Sequence, residues 1–266
     1  MDIITVCRTL NEERNIERFC REYSHISDAI LIVDGGSQDR TVEIALGFQK
    51  VLVAGYLDRV YRDNVWRNPH GLHLNRMFEW AKNLGAEWII YDDCDSLPNY
   101  HLKENLYIHT SNPDCYMVGV RRLYLYKDEG YFPALNTPNG FAKWAWRTSL
   151  PVVADETDPW QHTMKFPKQD KKNPYWLQTM EFPSCLLHYS FPDDAEIQRK
   201  KKFYTVAKKI PKHGDWNPMQ FGGEVKPLPE FAVLYKPTTV EEKPAPAPEP
   251  APVPEPEPYP DYPESV

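Results

Sequence analysis

Four short apolar runs frame this chain: Ile3-Ile4-Thr5-Val6-Cys7, Ala29-Ile30-Leu31-Ile32-Val33, Lys50–Ala54 and Trp88-Ile89-Ile90-Tyr91. Each is too short for a helix and rich in β-branched or aromatic residues, so each predicts a strand. Helical periodicity fills the gaps. Ile16, Phe19, Cys20 and Tyr23 recur at i, i+3, i+4 and i+7; Leu74, Met77, Phe78, Ala81 and Leu84 form a second stripe that Gly85 stops. A shorter helix fits Val42 to about Phe48. Asn11 is positioned to cap the first helix, with Glu12 and Glu13 in its first turn, where acids suit the dipole. Strands without polar alternation, separated by amphipathic helices, predict an α/β fold on a doubly wound, mostly parallel sheet.

The later sequence predicts a mixed continuation of that sheet. Cys115–Val120, Arg121–Tyr126 and Ser184–Ser190 read as strands, Asn99–Ile108 and Asp193–Lys209 as helices, and residues 55–70 and 151–181 as loops. A long loop inside a domain is often a lid or binding loop. The chain has 26 prolines, and much of the excess follows Pro237, where Pro alternates with Ala and Glu. Residues 237–266 are expected to be a disordered, extended tail that buries no apolar surface. The tail holds seven acids and one Lys; residues 143–213 hold 13 Lys/Arg against eight Asp/Glu. That basic stretch faces either an anionic ligand or only solvent. Five dispersed cysteines, no C-x-x-C pair and no basic-apolar leader suggest a reducing, cytoplasmic setting. No run of about 18 apolar residues is present, so no membrane span is expected.

Three polar stretches follow predicted strands: Arg8-Thr9, Asp34-Gly35-Gly36-Ser37, and Asp92-Asp93-Cys94-Asp95. Open α/β sheets bind ligands at the carboxyl ends of their strands. Gly35-Gly36 permits close backbone approach and positive φ, but lacks the spacing of a dinucleotide or Walker loop. On extended backbone, Asp93 and Asp95 would face one side and offer two hard oxygen ligands to a divalent cation. Alternatively, Asp95 caps a helix beginning near Pro98.

The order of these motifs resembles that of family 2 type glycosyltransferases with the GT-A fold. The resemblance rests on Val6 through Glu13, on Ile32-Val33-Asp34-Gly35-Gly36-Ser37-Gln38-Asp39-Arg40-Thr41, on Asp93-Cys94-Asp95, and more loosely on His188-Tyr189-Ser190. It implies one GT-A-like catalytic domain over 1–236, with a nucleotide-sugar half (1–125) and an acceptor half (126–236). By similarity, Thr9, Glu12, Asp34 and Gly35 would hold the base and ribose, with Asp39 a supporting turn residue. Asp93 and Asp95 would bind Mn²⁺ or Mg²⁺ on the donor diphosphate, with His188 a further ligand or simply a satisfied strand-end histidine. Lys200 to Lys202 would add charge against the diphosphate. The implied reaction is inverting transfer from a UDP-linked or other nucleoside-diphosphate sugar to an acceptor hydroxyl.

Such a transfer needs a base for the acceptor, usually a carboxylate. The chain departs from the family here, having no Gln-x-x-Arg-Trp motif and no Glu-Asp pair in the usual setting. Asp155, Glu156 and Asp158 are the candidates. Trp144, Trp146, Trp160 and Trp176 either stack on a sugar or pack the core. The acceptor reads as a glycan or a hydroxymethylated DNA base, and the tail as a segment that binds a partner protein. Two other functions compete: a nucleotidyltransferase that makes the sugar nucleotide, and a non-catalytic nucleotide-sugar or partner-binding protein. Arg8-Thr9-Leu10-Asn11-Glu12-Glu13 disfavours the first, because that class carries a Gly-rich basic loop after its first strand.

Overall fold

The computed structural model describes residues 2–55, 60–62, 65–67, 70–127, 130–131, 141–154, 164–168, 172–173, 176–191, 193–198, 225–230 and 232. By contacts the chain divides into a compact unit, Met1–Tyr235, and a second, Lys236–Val266, which lies outside the described residues.

The first half alternates as its apolar runs predict: β1 (Ile3–Thr9), α1 (Glu13–Ser24), β2 (Ala29–Asp34), α2 (Thr41–Leu46), β3 (Val51–Gly55). The stretch expected to be loop contains a small antiparallel ladder, β4 (Val60–Arg62) with β5 (Val65–Arg67). Then come α3 (His70–Asn83), β6 (Trp88–Tyr91), β7 (Ser96–Pro98) and α4 (Tyr100–Thr110). The second half is mostly strand: β8 (Met117–Tyr126), β9 (Gly130–Tyr131), β10 (Ala142–Arg147), β11 (Val153–Ala154), β12 (Met164–Lys165) and β13 (Leu177–Phe191). Two expected strands over 115–126 are therefore one, and the expected loop at 151–181 holds the β11–β12 ladder and the start of β13.

The main sheet runs β3-β2-β1-β6-β10-β8-β13-β7, with β9 beside β8. β3, β2, β1 and β6 pair in parallel; β10 is antiparallel to both β6 and β8; β13 is parallel to β8, while β7 and β9 run against their neighbours. Two apolar clusters cover its faces. On one, Ile16, Phe19 and Tyr23 of α1 and Leu102 and Leu106 of α4 meet Cys7, Ile30, Ile90 and Trp144. On the other, Leu74, Met77 and Phe78 of α3 meet Ile4, Leu31, Ile89 and Trp146. Successive residues of one strand serve opposite faces, which is why these strands carry no polar alternation. Trp144 and Trp146 are core residues, at 0% and 1% exposure. Among the described residues no helix is long and apolar enough to cross a membrane.

Helix ends follow local chemistry, with two departures. Gly85 has φ 83° and ends α3, while the Ala86 N–H closes onto Ala81 O. Asn99, not Asp95, caps α4: its side chain accepts the Leu102 N–H at 2.9 Å. Asn11 does not cap α1. It adopts φ 55°, and Glu12 takes the cap position without a side-chain cap bond. Asn11 instead accepts the Gln38 N–H and donates its own N–H to Ser37 Oγ, so a tertiary contact overrides the local signal.

Candidate functional site

The carboxyl ends of β1, β2 and β6 lie side by side, since Thr9 is opposite Asp34 and Val6 is opposite Tyr91. Asp34 organises the loop that follows β2. One carboxylate oxygen accepts the N–H groups of Gly36 (2.9 Å) and Ser37 (2.7 Å). The other accepts the hydroxyls of Thr9 (2.9 Å) and Ser37 (2.6 Å). A carboxylate has about four acceptor sites, and all are used. The loop reverses at Gly36, whose φ of 88° suits glycine.

This loop is laced to the one before α1. The Gly35 N–H donates to Thr9 O, the Glu12 N–H to Thr41 Oγ1 and the Glu13 N–H to Asp39 Oδ2. Glu12 also accepts the Asn15 side-chain amide at 2.8 Å. Burial raises the Asp39 carboxyl, but hydrogen bonds from Thr41 and Glu13 outweigh it and hold the group below the usual carboxylate range. Thr9, Asp34 and Gly35 thus share one network, and Glu12 belongs to the neighbouring one built on Thr41 and Asp39.

The acidic stretch after β6 is a tight turn rather than extended backbone. β6 ends at Tyr91, and the Ser96 N–H closes the turn onto Asp93 O at 2.9 Å. The expected same-side display of Asp93 and Asp95 therefore does not arise from strand geometry. What fixes Asp95 is β13: the Tyr189 N–H donates to Asp95 O at 2.7 Å, and His188 Nδ1 stands 3.3 Å from Asp95 Oδ1. The His188 ring also rests edge-on against Tyr124 at 5.1 Å. Cys94 points inward, where its thiol meets that of Cys7; burial raises both thiols above their ordinary values.

Asp92 has a different environment. It is wholly buried. Its Oδ2 accepts the Tyr23 hydroxyl (2.6 Å) and the Trp144 indole N–H (3.0 Å). Its Oδ1 accepts Arg122 (2.9 Å) and the Asp93 backbone N–H (3.0 Å). Burial pushes its carboxyl up to about 6, against the pull of the Arg122 guanidinium, while Asp93 adds to the rise. Burial alone would favour neutral Arg122, but the adjacent Asp92 and Asp93 carboxylates raise it and keep it charged. The sequence signals only part of this group: Tyr23 shows as a core stripe, Trp144 as an aromatic patch and Arg122 as a strand residue.

A divalent cation fits the donors at Asp95 and His188. Cis ligands around an octahedral ion at 2.0–2.1 Å stand about 3 Å apart, close to the 3.3 Å observed here. The carboxylate oxygen suits Mg²⁺ or Mn²⁺, whereas the imidazole nitrogen suits later transition ions. Among the described residues no three His, Cys, Asp or Glu side chains converge as a ready metal cage. Ions of this kind are commonly held by one or two carboxylates plus substrate phosphates. Asp155, Glu156, Asp158, Trp160 and Lys200 to Lys202 lie outside the described residues.

The family model for glycosyl transferase family 2 matches residues 5–188. No curated protein matches the chain. Among solved structures, S. aureus TarS is 12% identical over 77% of this chain and 40% of its own, with a TM-score of 0.47. Its 1–349 form is 12% identical over 83% of this chain and 68% of its own, with a TM-score of 0.48. Glucosyl-3-phosphoglycerate synthase from Mycobacterium tuberculosis, in complex with phosphoglyceric acid, is 18% identical over 56% of this chain and 57% of its own, with a TM-score of 0.36. The chain thus spans less than half of the longer TarS chain.

Proposed function

This chain belongs to glycosyl transferase family 2, and from that premise we propose that it moves a glycosyl group from a nucleoside-diphosphate sugar, UDP-linked in the first instance, to an acceptor hydroxyl with inversion. The observation that carries the donor end is the approach of Asp95 Oδ1 to His188 Nδ1, 3.3 Å apart at the carboxyl edge of the sheet. The two residues are far apart in sequence, Asp95 in the turn before β7 and His188 within β13, so their pairing is a product of the fold rather than of a local turn.

In this reading Asp95 and His188, with Asp93 and the donor's phosphates, hold Mn²⁺ or Mg²⁺. When bound, such a cation would supply positive charge against the charge that develops on the departing nucleoside diphosphate. The chain's own residues do the remaining work. Thr9, Glu12, Asp34 and Gly35 form the nucleotide side. Because Asp34 spends its acceptor sites on Thr9, Gly36 and Ser37, it acts by shaping the loop that the nucleotide meets. Lys200 adds charge against the diphosphate. One of Asp155, Glu156 and Asp158 takes the acceptor proton as the new bond forms.

A screen of UDP- and GDP-sugars with Mn²⁺ tests this without knowledge of the acceptor, by following slow release of the nucleoside diphosphate. Release from at least one donor is expected, with loss in excess EDTA and in Asp95→Asn. No release from any donor, or full release by Asp95→Asn, overturns the assignment.

A further inference from the structure

We propose that Asp92 is a positioning residue: Tyr23, Trp144 and Arg122 lock its carboxylate so that the turn carrying Asp93 and Asp95 is set for the cation before the cation arrives. The inference rests on the metal reading above and extends it to four residues that would not touch metal or substrate.

The geometry carries it. Asp92 is the first residue after β6, and its Oδ1 holds the N–H of the next peptide at 3.0 Å. Fixing that carboxylate therefore fixes the entry of the turn. Three side chains do the fixing from three separate elements: Tyr23 from α1 at 2.6 Å, Arg122 from β8 at 2.9 Å, and Trp144 from β10 at 3.0 Å. The exit of the turn is held independently by Tyr189 N–H on Asp95 O. Asp93 and Asp95 lie between these two anchors.

Charge supports the same division of labour. Three carboxylates within four residues repel one another, and a wholly buried one is the most costly to ionise. Arg122 neutralises Asp92 at contact distance. With Oδ1 and Oδ2 each accepting two hydrogen bonds, Asp92 has no acceptor site left with which to compete for the ion. Groups that hydrogen-bond a metal ligand orient it, and their loss commonly weakens metal binding about 10–100-fold; these three act one step further out, through Asp92 and the turn, so the low end of that range applies.

The test is Mn²⁺ binding by calorimetry on the full chain in the presence of UDP, with thermal unfolding measured alongside. Tyr23→Phe and Trp144→Phe keep the rings and remove one donor each; Asp95→Asn is the ligand control. Weakening of Mn²⁺ binding by about tenfold in Tyr23→Phe and Trp144→Phe is expected, together with a raised Mn²⁺ requirement for donor hydrolysis and a kcat that recovers at saturating Mn²⁺. If both variants bind Mn²⁺ like the parent chain while Asp95→Asn does not, the positioning role fails and the metal reading stands. If the parent chain binds no Mn²⁺, both fail. Should either ring variant not fold, Arg122→Lys, which keeps the charge, provides the same readout.

Discussion

Asp34 and Asp92 are both buried strand-end aspartates, yet their neighbours make them different devices. Asp34 gathers its own loop, while Asp92 gathers three distant elements. Removing the Asp34 carboxylate leaves the Gly36 and Ser37 N–H groups and the Thr9 hydroxyl without their acceptor. Asp34→Ala should therefore cost about 2–4 kcal/mol, read as a lower urea midpoint; an unchanged midpoint would contradict the role. Asp28 offers a pH test. The Ile3 N–H, aided by that of Asp2, holds its carboxyl below the usual range. A carboxyl depressed on folding contributes stability that is complete above its unfolded pKa of about 3.9 and is lost as pH falls through the folded value. The fall in stability below about pH 4 should be shallower in Asp28→Asn than in the parent chain, and equal slopes would refute this. At this scale the sequence discloses type but not partner. Nothing near Arg122 or Trp144 in the chain marks Asp92 as their shared acceptor, because sheet order brings them together.

Elements were legible where their signal is local. The α1 stripe of Ile16, Phe19, Cys20 and Tyr23 is fully buried, and β2 is buried throughout. The misreadings share one cause, a contact with a distant segment. Asn11 leaves its cap position to meet Ser37 and Gln38. Residues 115–126 read as two strands but form one, because β13 pairs along the whole of β8. Asn99 combines both kinds of signal. It caps α4 locally, accepts the Cys185 N–H at 3.2 Å and donates to Pro183 O at 2.7 Å. Asn99→Ala should cost about 2–3 kcal/mol, more than an ordinary cap, since it also unpairs buried groups of β13. Chemical denaturation checks this, and a loss of only a few tenths would mean that the β13 contacts contribute nothing.

At the scale of the whole molecule, β10 is the joint. It enters antiparallel between β6 and β8 and so ties the parallel half of the sheet to the mixed half. The doubly wound half was readable from periodicity, because each βα unit carries its own signal. The joint was not, because a strand's neighbours are set by the packing of the complete sheet. The candidate site straddles that joint. Asp92 reaches partners 69, 52 and 30 residues away in the chain. Contacts this distant must overcome loop-closure entropy before they form, so we expect them late on the route to the native state. A cation that recognises the finished turn then has nothing to grip in a half-formed chain. Mn²⁺ should slow unfolding while leaving the refolding rate unchanged, a division that stopped-flow fluorescence of the eight tryptophans can measure.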